Sequence, residues 1–324
     1  MSRGGLRALI LAVFGLVASC HRGQRAPVAP TPPPSARSVP VLSAAALPLR
    51  AVQVNGTELR YADLGSGIPV IFVHGSFSTL DYWRPQLDSF VRHYRVIVYS
   101  RRHYPPNPQR LDGHEYGVSL HVDDLAGLLE RLGIERAHII GHSYGAYVAL
   151  AFALRYPEKV WDLVLVEPPI LPWLARTPEG DSLRRALEAG ALVPARAAFA
   201  RGDSVEGVRR YFDGATGAAG QFDALQPDRR AALLHLAFAL RLELAAAPDV
   251  YTPSLACQDV AGIRSSVLLV TGQRSPRRYH VIEDELERCL RTAEVVTVPG
   301  ADHRVPSANP QFFNQAVLTF LERH

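Results

Sequence analysis

Lysine is almost missing from this chain of 324 residues: it occurs once, at Lys159, and methionine occurs only at Met1. Arginine and alanine dominate instead, which reads as a GC-rich coding bias and not as a functional signal. Charge is also modest, with 20% charged side chains and a formal net charge of +4. No basic cluster with interleaved aromatic residues occurs, so a nucleic-acid partner is not indicated. No residues stand at metal-ligand spacing and no glycine-rich phosphate loop precedes a helix, so neither a metal nor another cofactor is indicated. No internal repeat is visible. What is present is an apolar content of 48%, as in a globular chain with a sizeable core, and length enough for one large domain or two small ones.

Residues 1–20 read as a targeting segment. Arg3 and Arg7 precede the apolar run Ala8–Val17, which is short for a bilayer span. The next residues, Val17-Ala18-Ser19-Cys20, resemble a bacterial lipobox. That implies acylation of Cys20 and a mature protein anchored in the cell envelope, periplasm-facing or extracellular. Ordinary signal-peptide cleavage, with Cys20 incidental, is the plainer alternative. Buried acyl methylenes contribute about 0.8 kcal/mol each, so a multiply acylated cysteine is a stable anchor. Loss of residues 1–19 removes Arg3 and Arg7 and no acid, which lowers the net charge from +4 to +2. Residues 21–48 hold seven prolines among Ala, Ser and Arg. Such a stretch cannot bury a core and favours extended conformations, as a tether requires.

From residue 49 the pattern changes. Leu49–Asn55 alternates and meets Asn55-Gly56, a hairpin signal, with Glu58–Ala62 returning. Pro69–Val73 and Tyr94–Tyr99 read as buried strands on either side of a helix over Asp81–Arg92. Leu120–Leu132 has helical spacing and stops at Gly133; Ala137–Ile140 and Leu163–Val166 are further strands. Alternating strands and helices predict a mostly parallel sheet covered on both faces. The alternation breaks at Pro168-Pro169, and residues 170–257 show helical periodicity only. It resumes with Ser266–Thr271, Arg278–Leu290, Glu294–Val298 and Pro310–Glu322. The globular part thus divides into a first core segment (49–168), a helical insertion (169–258) and a second core segment (259–324). Cys257 lies at the end of the insertion and Cys289 in the second core segment; an exported compartment permits a disulfide between them, and two buried free thiols are the alternative.

The most informative residues are Gly141-His142-Ser143-Tyr144-Gly145. They match G-x-S-x-G, with a strand before them and the helix-like Ala146–Arg155 after them. A serine on a sharp strand-to-helix turn presents its hydroxyl where a base can reach it, and the flanking glycines allow the close approach. His74-Gly75 closes the strand Pro69–Val73, and Pro299-Gly300-Ala301-Asp302-His303 closes the last strand.

On these motifs residues 48–324 resemble the α/β-hydrolase fold family, in its epoxide-hydrolase-like, lid-bearing branch. The resemblance implies a mostly parallel eight-stranded sheet flanked by helices, with the insertion forming a lid over the site. It implies Ser143 as nucleophile and His303 as base. Tyr144 and Ser76 would supply the backbone N–H donors of an oxyanion hole, with Phe77 the substitute for Ser76. His142 would point away and His74 would be structural. In this family the acid usually follows the strand that ends at Gly272, and there the sequence has Ser275. Some lid-bearing relatives carry it one strand earlier, which is Glu167 here; a glutamate ending an apolar strand is costly unless paired, and His303 would pair it. Glu283 and Asp284 lie too far into the next helix, and Asp302 would face elsewhere. Epoxide hydrolases of this fold attack with an aspartate. Serine at 143 instead implies acyl transfer, with a small or medium ester as the substrate. Carbon–carbon bond hydrolysis or a perhydrolase-like activity uses the same three groups, and a non-catalytic ligand-binding lipoprotein is the alternative outside enzymes. Phe199, Phe212, Phe222 and Phe238 in the insertion suit either an apolar pocket or helix packing.

Overall fold

The computed structural model describes residues 46–324 apart from positions 112 and 115. The targeting segment, Cys20 and all but the end of the proline-rich stretch therefore lie outside the described residues. The strands are β1 (Arg50–Val54), β2 (Thr57–Gly65), β3 (Pro69–Val73), β4 (Arg95–Tyr99), β5 (Ala137–His142), β6 (Val160–Val166), β7 (Ser266–Gly272) and β8 (Ala293–Val298). They form one eight-stranded sheet in the order 1-2-4-3-5-6-7-8. β2 pairs antiparallel with β1 and β4, and from β4 to β8 every pairing is parallel. Asn55 (φ 44°) and Gly56 (φ 73°) make the β1–β2 turn, the pair of left-handed residues that a two-residue hairpin needs.

Central strands are buried on both faces, so β3, β5 and β6 read as apolar runs, whereas the edge strand β8 is partly exposed along most of its length. Helices α1 (Arg84–Phe90), α2 (Val118–Arg131) and α3 (Tyr144–Arg155) connect the first strands. The helix expected over Asp81–Arg92 starts as a 3-10 turn, Leu80–Trp83. Pro85 then sits in the first turn of α1, where its missing N–H costs no bond. Ile71 and Val73 face a core shared with α2 and α3, and Val70 and Phe72 face the opposite one.

Between β6 and β7 the chain leaves the sheet for α4 (Pro178–Leu187), α5 (Val193–Ala200), α6 (Ser204–Thr216), α7 (Pro227–Leu234), α8 (Ala237–Ala245) and α9 (Pro248–Tyr251). This insertion has its own core, which includes Phe199, Val208, Phe222 and Leu240, with Phe212 packed against it. Phe238 meets the ring of His103 instead, at 5.8 Å. Helix packing therefore accounts for most of these phenylalanines. The chain returns through α10 (Cys257–Ala261), α11 (Arg277–Cys289), α12 (Val305–Ala308) and α13 (Pro310–Arg323), with α13 contributing Phe313, Val317 and Phe320 to the core on the Val70 face. Cys257 and Cys289 are bridged, with Cα atoms 5.1 Å apart. A cross-link closing a loop of this size stabilises by about 2–4 kcal/mol. No helix among the described residues is long and apolar enough to cross a membrane.

Candidate active site

Ser143 sits between β5 and α3 with φ 51° and ψ −125°, a conformation that a non-glycine residue adopts only when its surroundings enforce it. The enforcement is visible. The Ser143 N–H donates to the Val166 carbonyl on β6 (2.8 Å), and its own carbonyl accepts from the N–H of Ala146 (2.8 Å). A Cβ on Gly141 would stand 2.4 Å from the Gly145 carbonyl oxygen, and one on Gly145 would stand 2.2 Å from that of Val73. Only glycine allows strand, turn and helix to pass this closely.

His303 lies in the loop after β8. Its Nε2 is 3.1 Å from Ser143 Oγ, and its Nδ1 is 2.5 Å from Glu167 Oε2. Glu167 immediately follows β6, is buried, and also has a left-handed φ of 51°. Its other oxygen, Oε1, accepts from Thr271 Oγ1 (2.9 Å) and from the Gly272 N–H (2.8 Å). Burial by itself would push this carboxyl up. The hydrogen bond and charge of His303, together with the Gly272 N–H, outweigh it and hold the group below its ordinary value. Ser275, where the more usual acid would stand, offers no ionisable group. Asp302 faces away and binds the Arg304 backbone and guanidinium.

Two neighbours fix the imidazole. The Tyr279 ring stacks on His303 with centroids 4.1 Å apart, and its hydroxyl lies 3.1 Å from Nε2. His142 does not simply point away. Burial, then the charge of His303, lowers its pKa to about 3, so its neutral ring donates from Nε2 to the His303 carbonyl (2.7 Å).

The loop after β3 packs directly on the elbow, since a Cβ on Gly75 would come within 2.9 Å of Ser143 Cβ. His74 is neutral as well, because burial and then Arg101 lower its pKa. It donates from Nδ1 to the Gly75 carbonyl (2.7 Å) and accepts at Nε2 from the Arg101 N–H (2.8 Å), a structural part as expected. Tyr144 is the first residue of α3, so its N–H has no partner within the helix. Ser76 donates its hydroxyl to Glu243 on α8 (2.6 Å). Glu243 also accepts from the buried Arg101 guanidinium at 2.7 Å, so one carboxylate links the insertion to the loop beside Ser143. Sequence reasoning missed Arg101, Glu243 and Tyr279. The one available signal was a lone acid in the apolar run Ala237–Ala245.

Over Ser143 lies a pocket of about 40 Å³, walled by Tyr144 and by Leu187, Leu192 and Tyr211 of the insertion, among others. Behind Glu167 a cavity of about 10 Å³ separates it from Glu283. Burial first, and the charge of Glu167 second, push the Glu283 carboxyl up to about 8.

Comparison with known proteins agrees with this architecture. A profile described as the alpha/beta hydrolase fold matches residues 68–197. A 2-hydroxy-6-oxo-2,4-heptadienoate hydrolase from Pseudomonas putida is 38% identical over 120 residues, 36% of this chain and 43% of that protein. Epoxide hydrolase 2 from Siraitia grosvenorii is 38% identical over 121 residues, 35% of this chain and 36% of that protein. The chain thus spans less than half the length of these curated relatives. Carboxylesterase CesB from Bacillus subtilis has a similar structure, with a TM-score of 0.63 over 86% of this chain and 93% of that one, at 17% identity. The chain has the α/β-hydrolase fold with a helical insertion, as the sequence resemblance implied.

Two predictions follow from the carboxylates. Glu167→Gln preserves the shape of the acid and removes its charge; kcat should fall roughly 10³- to 10⁴-fold, the size of effect seen when a triad carboxylate is neutralised. Turnover of any substrate found for the wild-type protein, by a variant with a native melting profile, checks this, and unchanged turnover would place the acid elsewhere. For Glu283, the native state keeps a proton that the unfolded chain releases between the ordinary 4.5 and about 8, so stability falls as pH rises through that window. Glu283→Gln should flatten the decline in Tm between pH 5 and pH 8, and a variant declining as steeply as wild type would refute the assignment.

Proposed function

We propose that this chain is a serine hydrolase that cleaves small or medium carboxylic esters through an acyl-enzyme on Ser143. The observation that carries the reading is the unbroken line from Ser143 Oγ to His303 (3.1 Å) and from His303 to Glu167 (2.5 Å), built on a strained elbow. As Oγ attacks the ester carbonyl, His303 Nε2 takes its proton, and Glu167 holds the tautomer and stabilises the imidazolium. The N–H groups of Tyr144 and Ser76 receive the developing oxyanion. His303 then gives the proton to the leaving alcohol and activates the water that releases the acid. The insertion acts as a lid that shapes the pocket and limits water.

Serine at 143 argues for acyl transfer despite similarity to an epoxide hydrolase over 121 residues. Carbon–carbon bond hydrolysis by the same groups is the second reading, supported by the similarity to the 2-hydroxy-6-oxo-2,4-heptadienoate hydrolase. The assembled hydrogen-bond line argues against a fold that has lost catalysis. Anchoring in the bacterial envelope through Cys20 belongs to the same proposal. Its support is the composition of residues 1–48 and the Cys257–Cys289 bridge, since disulfides persist in oxidising compartments.

A fluorophosphonate probe should label the purified wild-type protein and spare Ser143→Ala, after which an ester panel ranks substrates. Labelling of neither would mean that Ser143 is not activated, and the hydrolase reading would fall. Bacteria expressing the full chain should incorporate radiolabelled palmitate into wild type and not into Cys20→Ser; label in neither would return Cys20 to an incidental residue at an ordinary cleavage site.

A further inference from the structure

The pocket over Ser143 contains a buried guanidinium that no carboxylate among the described residues neutralises. Arg278, in the first turn of α11, is 8% exposed and is the one charged residue among those lining that pocket. Its Nη2 donates to the carbonyls of Gly214 (3.0 Å) and Ala215 (2.6 Å), in the last turn of α6. Its Cζ lies 4.7 Å from the centroid of the Tyr279 ring, whose hydroxyl is 3.1 Å from His303 Nε2. The charge therefore lines the same pocket as Ser143, one ring away from His303. The adjacent Arg277 is paired with Glu179 and Glu167 is taken by His303, while Arg278 forms no ion pair among the described residues.

A desolvated cation is costly unless paired. Capping the α6 carbonyls offsets part of that cost, since the C-terminal end of a helix carries partial negative charge. Capping occupies one nitrogen only. The guanidinium has five N–H donors in a flat fork that fits the two oxygens of a carboxylate; besides the two carbonyls, the Tyr279 hydroxyl is the oxygen that interacts with it, and no carboxylate among the described residues does. The other pocket walls, among them leucines, tyrosines, Pro169 and Ala215, carry no charge to compete for an anion. At about 40 Å³ the space between Ser143 and Arg278 suits a short acyl chain.

We infer that Arg278 binds a carboxylate on the acyl side of the substrate, so that the pocket selects half-esters of short dicarboxylic acids over neutral esters. This deepens the hydrolase reading above and rests on it. The test pairs 4-nitrophenyl hemisuccinate with the isosteric neutral ester 4-nitrophenyl 4-methylpentanoate. A pocket that ignored the charge would favour the neutral, more apolar ester. Wild type should instead prefer the hemisuccinate by at least about tenfold in kcat/KM, the worth of one charge-assisted hydrogen bond. Arg278→Gln should shrink that ratio about tenfold, mainly through KM for the anionic ester, and Arg278→Lys should keep a higher ratio than Gln. A wild-type ratio near or below one overturns the inference, as does a Gln variant that slows both esters equally, which would leave Arg278 only as the cap of α6. Should the Gln variant fail to fold, the wild-type ratio decides. If neither ester turns over and the fluorophosphonate probe leaves Ser143 unlabelled, the hydrolase reading itself fails and takes this inference with it; labelling together with a ratio near one overturns this inference alone.

Discussion

The site depends on keeping one carboxylate charged at the buried end of an apolar strand. Glu167 follows the run Leu163–Val166 and is 3% exposed. Unpaired, its burial would favour the neutral form, which stabilises an imidazolium far less than a carboxylate does. The strand order supplies what it needs. β6 lies between β5, which delivers Ser143, and β7, whose end delivers the Thr271 hydroxyl and the Gly272 N–H. The Ser143 N–H is tied to Val166 and the Glu167 N–H to Val270 (3.2 Å). Ser143 and Glu167 are thus fixed to adjacent strands, and His303 reaches both from the loop after β8. With Glu167 hydrogen-bonded to His303 from just past β6, the loop after β7 need not hold a carboxylate there, and Ser275 stands in it.

The same position has a second consequence. Glu167 is followed at once by Pro168-Pro169, where the chain departs into the helical insertion, so acid and insertion share one anchor. A further tie comes from Glu243 on α8, which binds Arg101 and the Ser76 hydroxyl. Burial disfavours the Arg101 charge, and the Glu243 carboxylate more than compensates, holding the guanidinium's pKa above its ordinary value. Breaking such a buried pair from one side typically costs about 3–5 kcal/mol, because it strands the other charge. Arg101 also donates to the His74 carbonyl (2.9 Å) and contacts His121 Nε2 (3.1 Å). The geometry of the loop beside Ser143 is therefore coupled to the seating of the insertion.

How much of this was legible in the sequence depended on how local each constraint is. The hairpin at Asn55-Gly56, the central strands and the elbow are written in a few adjacent residues, and their period and glycine placement were enough to read them. Strand β6 was read short because Trp161 and Asp162 interrupt the apolar run, although Asp162 is buried in the strand. Glu167 could be singled out because a carboxylate ending an apolar strand is a local anomaly. Arg101, Glu243 and Tyr279 could not, because each acquires its role only where segments distant in sequence meet: Ser76 and Glu243 are 167 positions apart. The disulfide was undecided for the same reason, since proximity of Cys257 and Cys289 depends on how α10 packs against α11.

Two buried arginines show how a structural charge differs from one held ready. Arg101 and Arg278 are both enclosed, and both donate to backbone carbonyls. Arg101 is completed within the protein by the Glu243 carboxylate on its Nη2, so its full charge is spent on tying the insertion to the core. Arg278 has the same chemistry and is also buried, yet among the described residues it meets carbonyl dipoles and Tyr279 and no carboxylate, and it lines the pocket over Ser143. A structural helix cap would be served as well by a neutral donor, which would avoid the desolvation cost of a full cation. The retained charge makes physical sense if its counter-ion arrives with the substrate. Its desolvation cost is then met at binding, and the anion is oriented a short acyl length from Ser143.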